Sequence, residues 1–125
     1  AHVGTICDAS FPTFLLTWWV RDRPEGKISL AEAVYRQTLK TAKFVGLDDR
    51  GAIATGLRAD LNVIDLDNLS LTSPTLIADL PAGGKRLMQY AKGYTATLVA
   101  GQVIARDGAL TGAMPGRVVR NGATS

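Results

Sequence analysis

The stretch Ser29 to Asp67, SLAEAVYRQTLKTAKFVGLDDRGAIATGLRADLNVIDLD, changes its structural period once, from a helical pattern to a strand pattern. In its first half, apolar residues recur at nearly every third or fourth position and so share one face of a helix. Ser29 followed by Glu32 predicts a capping box at the start of this helix, and Gly46 predicts its end. In the second half, the apolar run Asn62 to Leu66 predicts a short, largely buried strand. The apolar positions of the helix are Leu30, Ala33, Val34, Leu39, Ala42 and Val45.

The segments on either side of this stretch add one helix and several strands. Phe11 to Val20, FPTFLLTWWV, has Pro12 in place for a first helical turn, and its apolar spacing predicts a buried helix. Later in the chain, Thr75 to Asp79 predicts a strand beside prolines. Two alternating runs, which begin at Tyr94 and at Gln102 and are separated by Ala100 and Gly101, predict a β-hairpin. Lys85 to Ala91 is compatible with a helical loop or a strand, and Arg117 to Arg120 with a brief strand.

The run Phe11 to Val20 has two alternative interpretations, a membrane-contacting segment and an exposed apolar patch. The first is disfavoured. Ten residues are too few to span a bilayer, which takes about 20, and the run has no basic face for lipid headgroups. In a chain that is isolated from a larger body, its aromatic side chains are instead expected to form an exposed, adhesive patch.

Composition and charge favour one compact domain and disfavour several classes of partner. The 125 residues are 46% apolar and 20% charged, which is ordinary for a globular chain. The net charge of +3 is spread along the sequence without a basic cluster, so a nucleic-acid partner is not predicted. One cysteine forms no internal disulfide, which fits a reducing, cytoplasmic compartment. No apolar run is long enough for a membrane span, and no membrane partner is predicted.

Several motifs carry a resemblance to a known family. The patterns S-L-x-E-A-V, T-A-K-x-x-G-L and R-G-x-I-A-x-G-x-x-A-D-L-N-V-I-D, within Ser29 to Asp65, resemble the C-terminal signature of the amidohydrolase superfamily. A-H-V-G-T-I-C-D-A-S at the start, and the later run from Asp79 to Gly101, narrow the likeness to the D-aminoacylase branch, the N-acyl-D-amino-acid deacylases.

This resemblance implies an α+β fold in which two N-terminal helices precede short, mostly antiparallel strands. Residues 1–47 would be the loop and helices from the end of a (β/α)8 TIM barrel, and residues 48–125 would be strands of a composite side β-sandwich. It also implies a short strand around Ala52 to Ala54.

The resemblance further implies that the chain is a C-terminal fragment of a zinc-dependent hydrolase that cleaves the amide C–N bond of an N-acyl-D-amino acid. In that family the metal ligands lie on earlier barrel strands, and the catalytic aspartate would fall just before Ala1. The fragment is therefore expected to be inactive alone, with no catalytic residue, no metal ligand and no cofactor of its own. The absence of an initiator Met also suggests a piece of something larger.

His2 is the one candidate site residue. It matches the histidine of the family motif at the active-site mouth, where related enzymes hold a substrate carboxylate. On a terminal loop, an exposed histidine without a role is the alternative. Cys7 and Asp8 lack any sign of a base that would activate a thiolate. Asp60 is expected to act as a structural hydrogen-bond acceptor, and Gly83 to Arg86 lacks the spacing of a phosphate loop.

A second hypothesis is a non-catalytic assembly or binding module. In this case the chain would cover its apolar helices and unpaired strand edges by forming a homo-oligomer. The aromatic run from Phe11 to Trp19 would then be the core of the interface.

Overall fold

The structure, a computed structural model, describes residues 8–120. Helices occupy the first part of this range and short antiparallel strands the remainder. The predicted α+β class, with helices followed by mostly antiparallel strands, is confirmed. The assignment to the end of a barrel and the division into residues 1–47 and 48–125 stay predictions. No helix in the described range is both long and apolar enough to cross a bilayer.

The first helical segment changes its winding along its length. After a 3₁₀ turn at Asp8–Ser10, it continues as α1, Phe11–Phe14, and then as a π-helix, Leu15–Asp22. Pro12 lies in the first turn, as predicted. The wider winding is visible where the Arg23 backbone N–H donates to the carbonyl of Trp18, five residues earlier, at 2.9 Å.

The prediction that this helix is buried was wrong, because one of its sides is exposed. Thr13, Leu16 and Thr17 are buried. The four aromatic side chains of the run are exposed, because only one of the two apolar faces of this helix has a neighbour within the described chain. They are Phe11 at 67%, Phe14 at 47%, Trp18 at 41% and Trp19 at 38%.

The helix predicted to begin after Ser29 forms as two pieces, α2, Leu30–Gln37, and α3, Leu39–Phe44. The Ser29 half of the predicted capping box is confirmed, since the Ser29 hydroxyl accepts from the Glu32 backbone N–H at 3.1 Å. The Glu32 carboxylate accepts from Arg36 Nε at 2.5 Å instead of completing the box. The break falls at Thr38, whose backbone is not helical, with φ −124° and ψ −95°. The Thr38 hydroxyl donates to the carbonyl of Val34 at 2.7 Å, a side-chain bond that competes with the helical ladder.

Between the helices and residue 120, eight short strands form three antiparallel sheets. The largest has the order β1-β6-β7-β8, while β2 pairs with β5 and β3 pairs with β4. The strands are β1 Leu61–Ile64, β2 Ser70–Leu71, β3 Thr75–Leu80, β4 Gly84–Met88, β5 Ala91–Lys92, β6 Tyr94–Val99, β7 Gln102–Arg106 and β8 Ala109–Leu110.

The predicted hairpin is confirmed as β6 and β7. Its turn, Ala100 and Gly101, has positive φ at both residues, 49° and 77°, as a tight hairpin turn requires. The predicted strand at Thr75 is confirmed as part of β3, and the segment from Lys85 forms a strand rather than a helical loop.

Two predicted strands are absent from residues 8–120. Residues 52–54 are exposed and lie in no strand, and Ile53 is 91% exposed. Residues 117–120 also lie outside any strand. Both segments are short and lack a hydrogen-bonded neighbour in a described sheet, so no ladder fixes them in extended pairing.

The core is small and joins the helices to the first strands. Leu16, Ala33 and Leu69 are buried together. Two polar ties reinforce this contact. The Thr13 and Tyr94 hydroxyls lie 2.7 Å apart, and the Arg21 guanidinium donates to the backbone carbonyls of residues 66, 67 and 69. The partly buried side chains around the core are Leu15, Val20, Ile28, Ile64, Leu66 and Tyr94.

Candidate functional site

The site residue predicted from the sequence, His2, lies outside the described residues, as does Cys7. The role assigned to His2 therefore stays a prediction. Within residues 8–120, no group of three or more His, Cys, Asp or Glu side chains is arranged to hold a metal ion. The described residues do not fit a zinc site, and no reaction step is assigned to a metal held by them.

The densest cluster of charged side chains lies between α3 and β1. We call it the Asp60 network, and it consists of Asp49, Arg50, Arg58 and Asp60. The Arg50 guanidinium donates to both oxygens of Asp49, at 2.7 and 2.9 Å, and to Asp60 at 2.8 Å. The Arg58 Nε donates to the two Asp60 oxygens at 3.0 and 3.1 Å.

Asp60 also connects this network to the sheet. Its Oδ1 accepts from the backbone N–H of Ala100, in the β6–β7 turn, at 2.8 Å. The Gly101 N–H donates to the carbonyl of Ala59 at 2.9 Å beside it. One carboxylate therefore holds two guanidinium groups and a hairpin turn, which supports the predicted structural role of Asp60.

The network is only partly accessible to water. The Arg50, Arg58 and Asp60 side chains are 17%, 15% and 27% exposed. The hydrogen bonds that the Arg50 guanidinium donates to the Asp49 carboxylate raise the pKa of Arg50, so this guanidinium stays charged. Because each carboxylate accepts from at least one guanidinium, the arrangement is suited to holding segments together rather than to accepting a proton from a substrate.

A groove of about 940 Å³ runs beside the Asp60 network. Its walls are residues 46–50 and 56–58, residues 100 and 102 at the β6–β7 turn, and the segment 114–120. Arg117 and Arg120, on the outer wall, are exposed. The described lining of the groove therefore consists of backbone atoms and of charged side chains, several of which are already paired with one another. It contains no nucleophile with an activating base.

Outside the Asp60 network, neither Asp65 nor the run Gly83 to Arg86 forms a site. The Asp65 carboxylate accepts from the Asn68 side chain at 2.7 Å, which is a local turn contact. The run Gly83 to Arg86 is not a phosphate loop, because Gly84 begins β4 and Arg86 pairs with Asp79 across the hairpin.

Three exposed carboxyl groups predict how the stability depends on pH. The pKa of Asp79 is lowered by its hydrogen bond to Arg86, that of Asp65 by its bond to the Asn68 side chain, and that of Asp22 by its bond to Arg21. A carboxyl group whose pKa is lowered by folding stabilises the folded state above its ordinary pKa, 3.8. That contribution is lost as the pH falls through the lower, folded pKa.

We therefore expect the free energy of unfolding to change little between pH 6 and 5 and to fall with decreasing pH below about 4. Denaturant unfolding at a series of pH values measures this slope. In Asp79→Asn, which retains the shape but not the charge, the slope below pH 4 should be shallower. An unchanged slope in that variant would contradict a contribution from the Asp79 carboxylate.

A second feature is the exposed apolar surface of the first helix. We call it the aromatic stripe, and its members are Phe11, Phe14, Trp18 and Trp19. Phe14 and Trp18 are stacked, with ring centroids 6.4 Å apart and an angle of 16° between their planes. The Arg23 guanidinium lies 4.2 Å from the centre of the Trp19 ring.

Arg50 and Arg58 are the residues that sequence reasoning missed. Their signal was present, because both arginines lie inside the R-G-x-I-A-x-G-x-R-A-D run, ten and two residues before Asp60. The sequence does not show that the two arginines contact Asp60, which directly precedes β1. The conformation of the loop 48–58 brings them to it.

Comparison with known proteins adds one finding. The chain matches a family model described as “Amidohydrolase family” over residues 1–105. Neither the curated proteins nor the solved structures gave a match.

Proposed function

Because this chain belongs to the amidohydrolase family, we propose that it is the C-terminal portion of a zinc-dependent enzyme that hydrolyses the amide C–N bond of N-acyl-D-amino acids. Membership in the family supports a hydrolase. The finer assignment to deacylation of D-amino acids rests on the motifs near Ala1 and between Asp79 and Gly101. The zinc ligands and the catalytic aspartate then belong to other parts of the enzyme.

The observation that carries this proposal is the Asp60 network. It lies in the stretch with the strongest family signature, and its side chains bond to one another and to the β6–β7 turn. The signature residues thus serve to hold the loop that follows the helices against the sheet. In the complete enzyme this portion stabilises the framework, and His2 stands at the active-site mouth and binds the substrate carboxylate.

The isolated chain tests the first half of the proposal. With added zinc, the purified 125-residue chain should show neither hydrolysis of N-acetyl-D-amino acids nor one bound zinc per chain, measured by substrate assay and by metal analysis after dialysis. Turnover that depends on zinc would contradict it, and would mean that His2, Cys7 and nearby carboxylates form a complete site.

A chimera tests the second half. We expect an N-acyl-D-amino-acid deacylase to keep its activity when its own C-terminal portion is replaced by this chain. In the chimera, His2→Ala should raise KM about tenfold or more with a smaller change in kcat, because it removes a contact to the substrate. Asp60→Ala should instead reduce the amount of folded enzyme, whereas Asp79→Ala should not. An inactive but folded chimera would count against the deacylase assignment.

The second hypothesis, a homo-oligomeric module, is favoured by one specific observation, the exposed aromatic stripe. It is the alternative to the catalytic proposal: a non-catalytic module whose copies cover this surface in one another.

A further inference from the structure

We infer that the turn between β1 and β2 is half of a binding site for a guanidinium ion, which the chain fills with the side chain of its own Arg21. The other half is the carboxylate of Asp22. We call the first half the carbonyl cradle, and it consists of the backbone carbonyl oxygens of Leu66, Asp67 and Leu69. This inference does not rest on the proposed catalytic function.

The first step is that three carbonyl oxygens converge on one nitrogen atom. Arg21 Nη1 donates to the carbonyls of residues 66, 69 and 67 at 2.5, 2.9 and 3.1 Å. This nitrogen carries two hydrogens, so three acceptors outnumber its donors. Carbonyl oxygens carry partial negative charge, and oxygens crowded around one point are stabilised by a cation between them. The carbonyl cradle is therefore shaped to receive a positive charge.

The second step is the contribution of Asp22, which selects the kind of cation. Arg21 Nε donates to one carboxylate oxygen at 2.6 Å, and Arg21 Nη2 donates to the other at 2.9 Å. Two parallel bonds of this kind match the planar fork of a guanidinium group. A spherical ion such as K⁺ has no such fork. The two halves together therefore suit a guanidinium ion better than an alkali cation.

The third step is that other contacts hold the carbonyl cradle in place. The Asp65 carboxylate accepts from the backbone N–H of Asn68 at 3.3 Å and from its side chain at 2.7 Å. The Asp65 backbone N–H donates to the carbonyl of Gly93 at 2.8 Å, and Leu69 is fully buried. When the Arg21 side chain is shortened, the cradle should keep its shape and remain as a preformed site.

The site makes Arg21 a positioning residue. Its guanidinium is carried by the π-helix Leu15–Asp22, whereas the carbonyl cradle begins 45 residues later in the chain. The bonds between them lie beside the core contact of Leu16 with Leu69. They therefore fix the first helix against the turn that joins the first two strands.

The test is chemical rescue of Arg21→Ala in the 125-residue chain, measured as the midpoint of thermal unfolding, Tm. We expect Arg21→Ala to lower the Tm. The Arg21 side chain is 28% exposed, so a small ion can reach its place from water. Guanidinium destabilises proteins in general, so a rise in Tm identifies a specific site. With a Kd of about 10 mM, about 50 mM guanidinium chloride should favour the folded variant about sixfold and raise its Tm by about 4 °C.

Arg86→Ala is the matched control. Arg86 also donates two bonds to a carboxylate, that of Asp79, but within residues 8–120 it donates to no backbone carbonyl. The same salt should therefore not raise the Tm of Arg86→Ala. It should not raise the Tm of the unsubstituted chain either, because Arg21 already fills the site there. About 50 mM potassium chloride controls for ionic strength and should leave Arg21→Ala without the rise.

The location of the bound ion is measured by nuclear magnetic resonance. In Arg21→Ala, the backbone amide signals of Asn68 and Leu69 should shift with guanidinium concentration and reach saturation. If this variant is unfolded in buffer, guanidinium should restore its native circular dichroism spectrum.

Three results would overturn the inference. The first is a guanidinium effect on Arg21→Ala that is no more stabilising than the effect on the unsubstituted chain, including a failure to refold an unfolded variant. The second is an equal rescue by potassium chloride, which would show a general cation effect. The third is an equal rescue of Arg86→Ala, which would show that any exposed carboxylate suffices.

Discussion

Gly93→Ala is expected to destabilise the folded chain by about 3 kcal/mol or more, the largest effect of any single substitution considered. Gly93 precedes β6 and has φ +97°, a conformation that residues with a Cβ rarely adopt. A Cβ at this position would lie 2.7 Å from the Cα of Leu69 and 3.0 Å from the carbonyl oxygen of Asp65. Both are backbone atoms, so neither can rotate away.

The position matters because Leu69 is fully buried in the core. The Asp65 backbone N–H also donates to the carbonyl of Gly93 at 2.8 Å. A shift of either segment to relieve the clash would therefore open the contact between helix and sheet as well. In Gly93→Ala we expect the midpoint of thermal unfolding to fall by more than about 10 °C.

Gly56→Ala is the matched control for this substitution. Gly56 has a similar φ, +88°, but a Cβ there would meet nothing within 4 Å. It should cost only the backbone strain of the left-handed region, about 1–2 kcal/mol. Denaturant unfolding of both variants separates strain from clash. Equal losses in the two would show that the close approach of Leu69 is not what requires glycine at position 93.

Asp60→Ala is expected to cost about 2–3 kcal/mol in the free energy of unfolding, the second-largest effect. The substitution removes the acceptor of Arg50, Arg58 and the Ala100 N–H in one change. The two guanidinium groups are mostly covered, so water replaces the lost carboxylate only in part. Asp60 itself is 27% exposed, which places the cost below that of a fully buried pair.

Asp79→Ala provides the comparison for Asp60→Ala. Asp79 has a bidentate contact with Arg86, but its side chain is 43% exposed, so water replaces the lost contact and the loss should be clearly smaller than for Asp60→Ala. A double-mutant cycle of Asp60→Ala with Arg58→Ala should give a coupling of about 1 kcal/mol or more. If Asp60→Ala costs no more than Asp79→Ala, the network is a surface feature and does not hold the loop to the sheet.

The importance of Asp60 and Gly93 was only partly predictable from the sequence. Asp60 was expected to be a structural acceptor, because an acidic residue at this position fits the family signature. Its partners were not foreseen, since Arg50 reaches it only through the conformation of the loop between them. The need for glycine at position 93 was not predictable from the sequence, because it comes from the close approach of Leu69, 24 residues earlier in the chain.

Features that depend on neighbours along the chain were predictable from the residues alone. These are the cap at Ser29, the first turn at Pro12, the hairpin around Ala100 and Gly101, and the switch from helix to strand within Ser29 to Asp67. Each depends on backbone preferences and side-chain periodicity within a few residues. Family membership has the same origin, because the motifs are read from consecutive residues.

Which apolar face is covered and which charged side chains pair depends on contacts between segments that are distant in the sequence. The spacing of Phe11 to Trp19 predicted a helix correctly, but apolar spacing alone does not tell whether an outer face is covered. The absence of a strand at residues 52–54 likewise reflects a missing partner strand. The break at Thr38 is by contrast local, since the Thr38 hydroxyl bonds to the carbonyl of Val34 four residues earlier. Helical periodicity is a property of one segment, whereas burial and ion pairing require a second segment, and only the folded chain supplies its position.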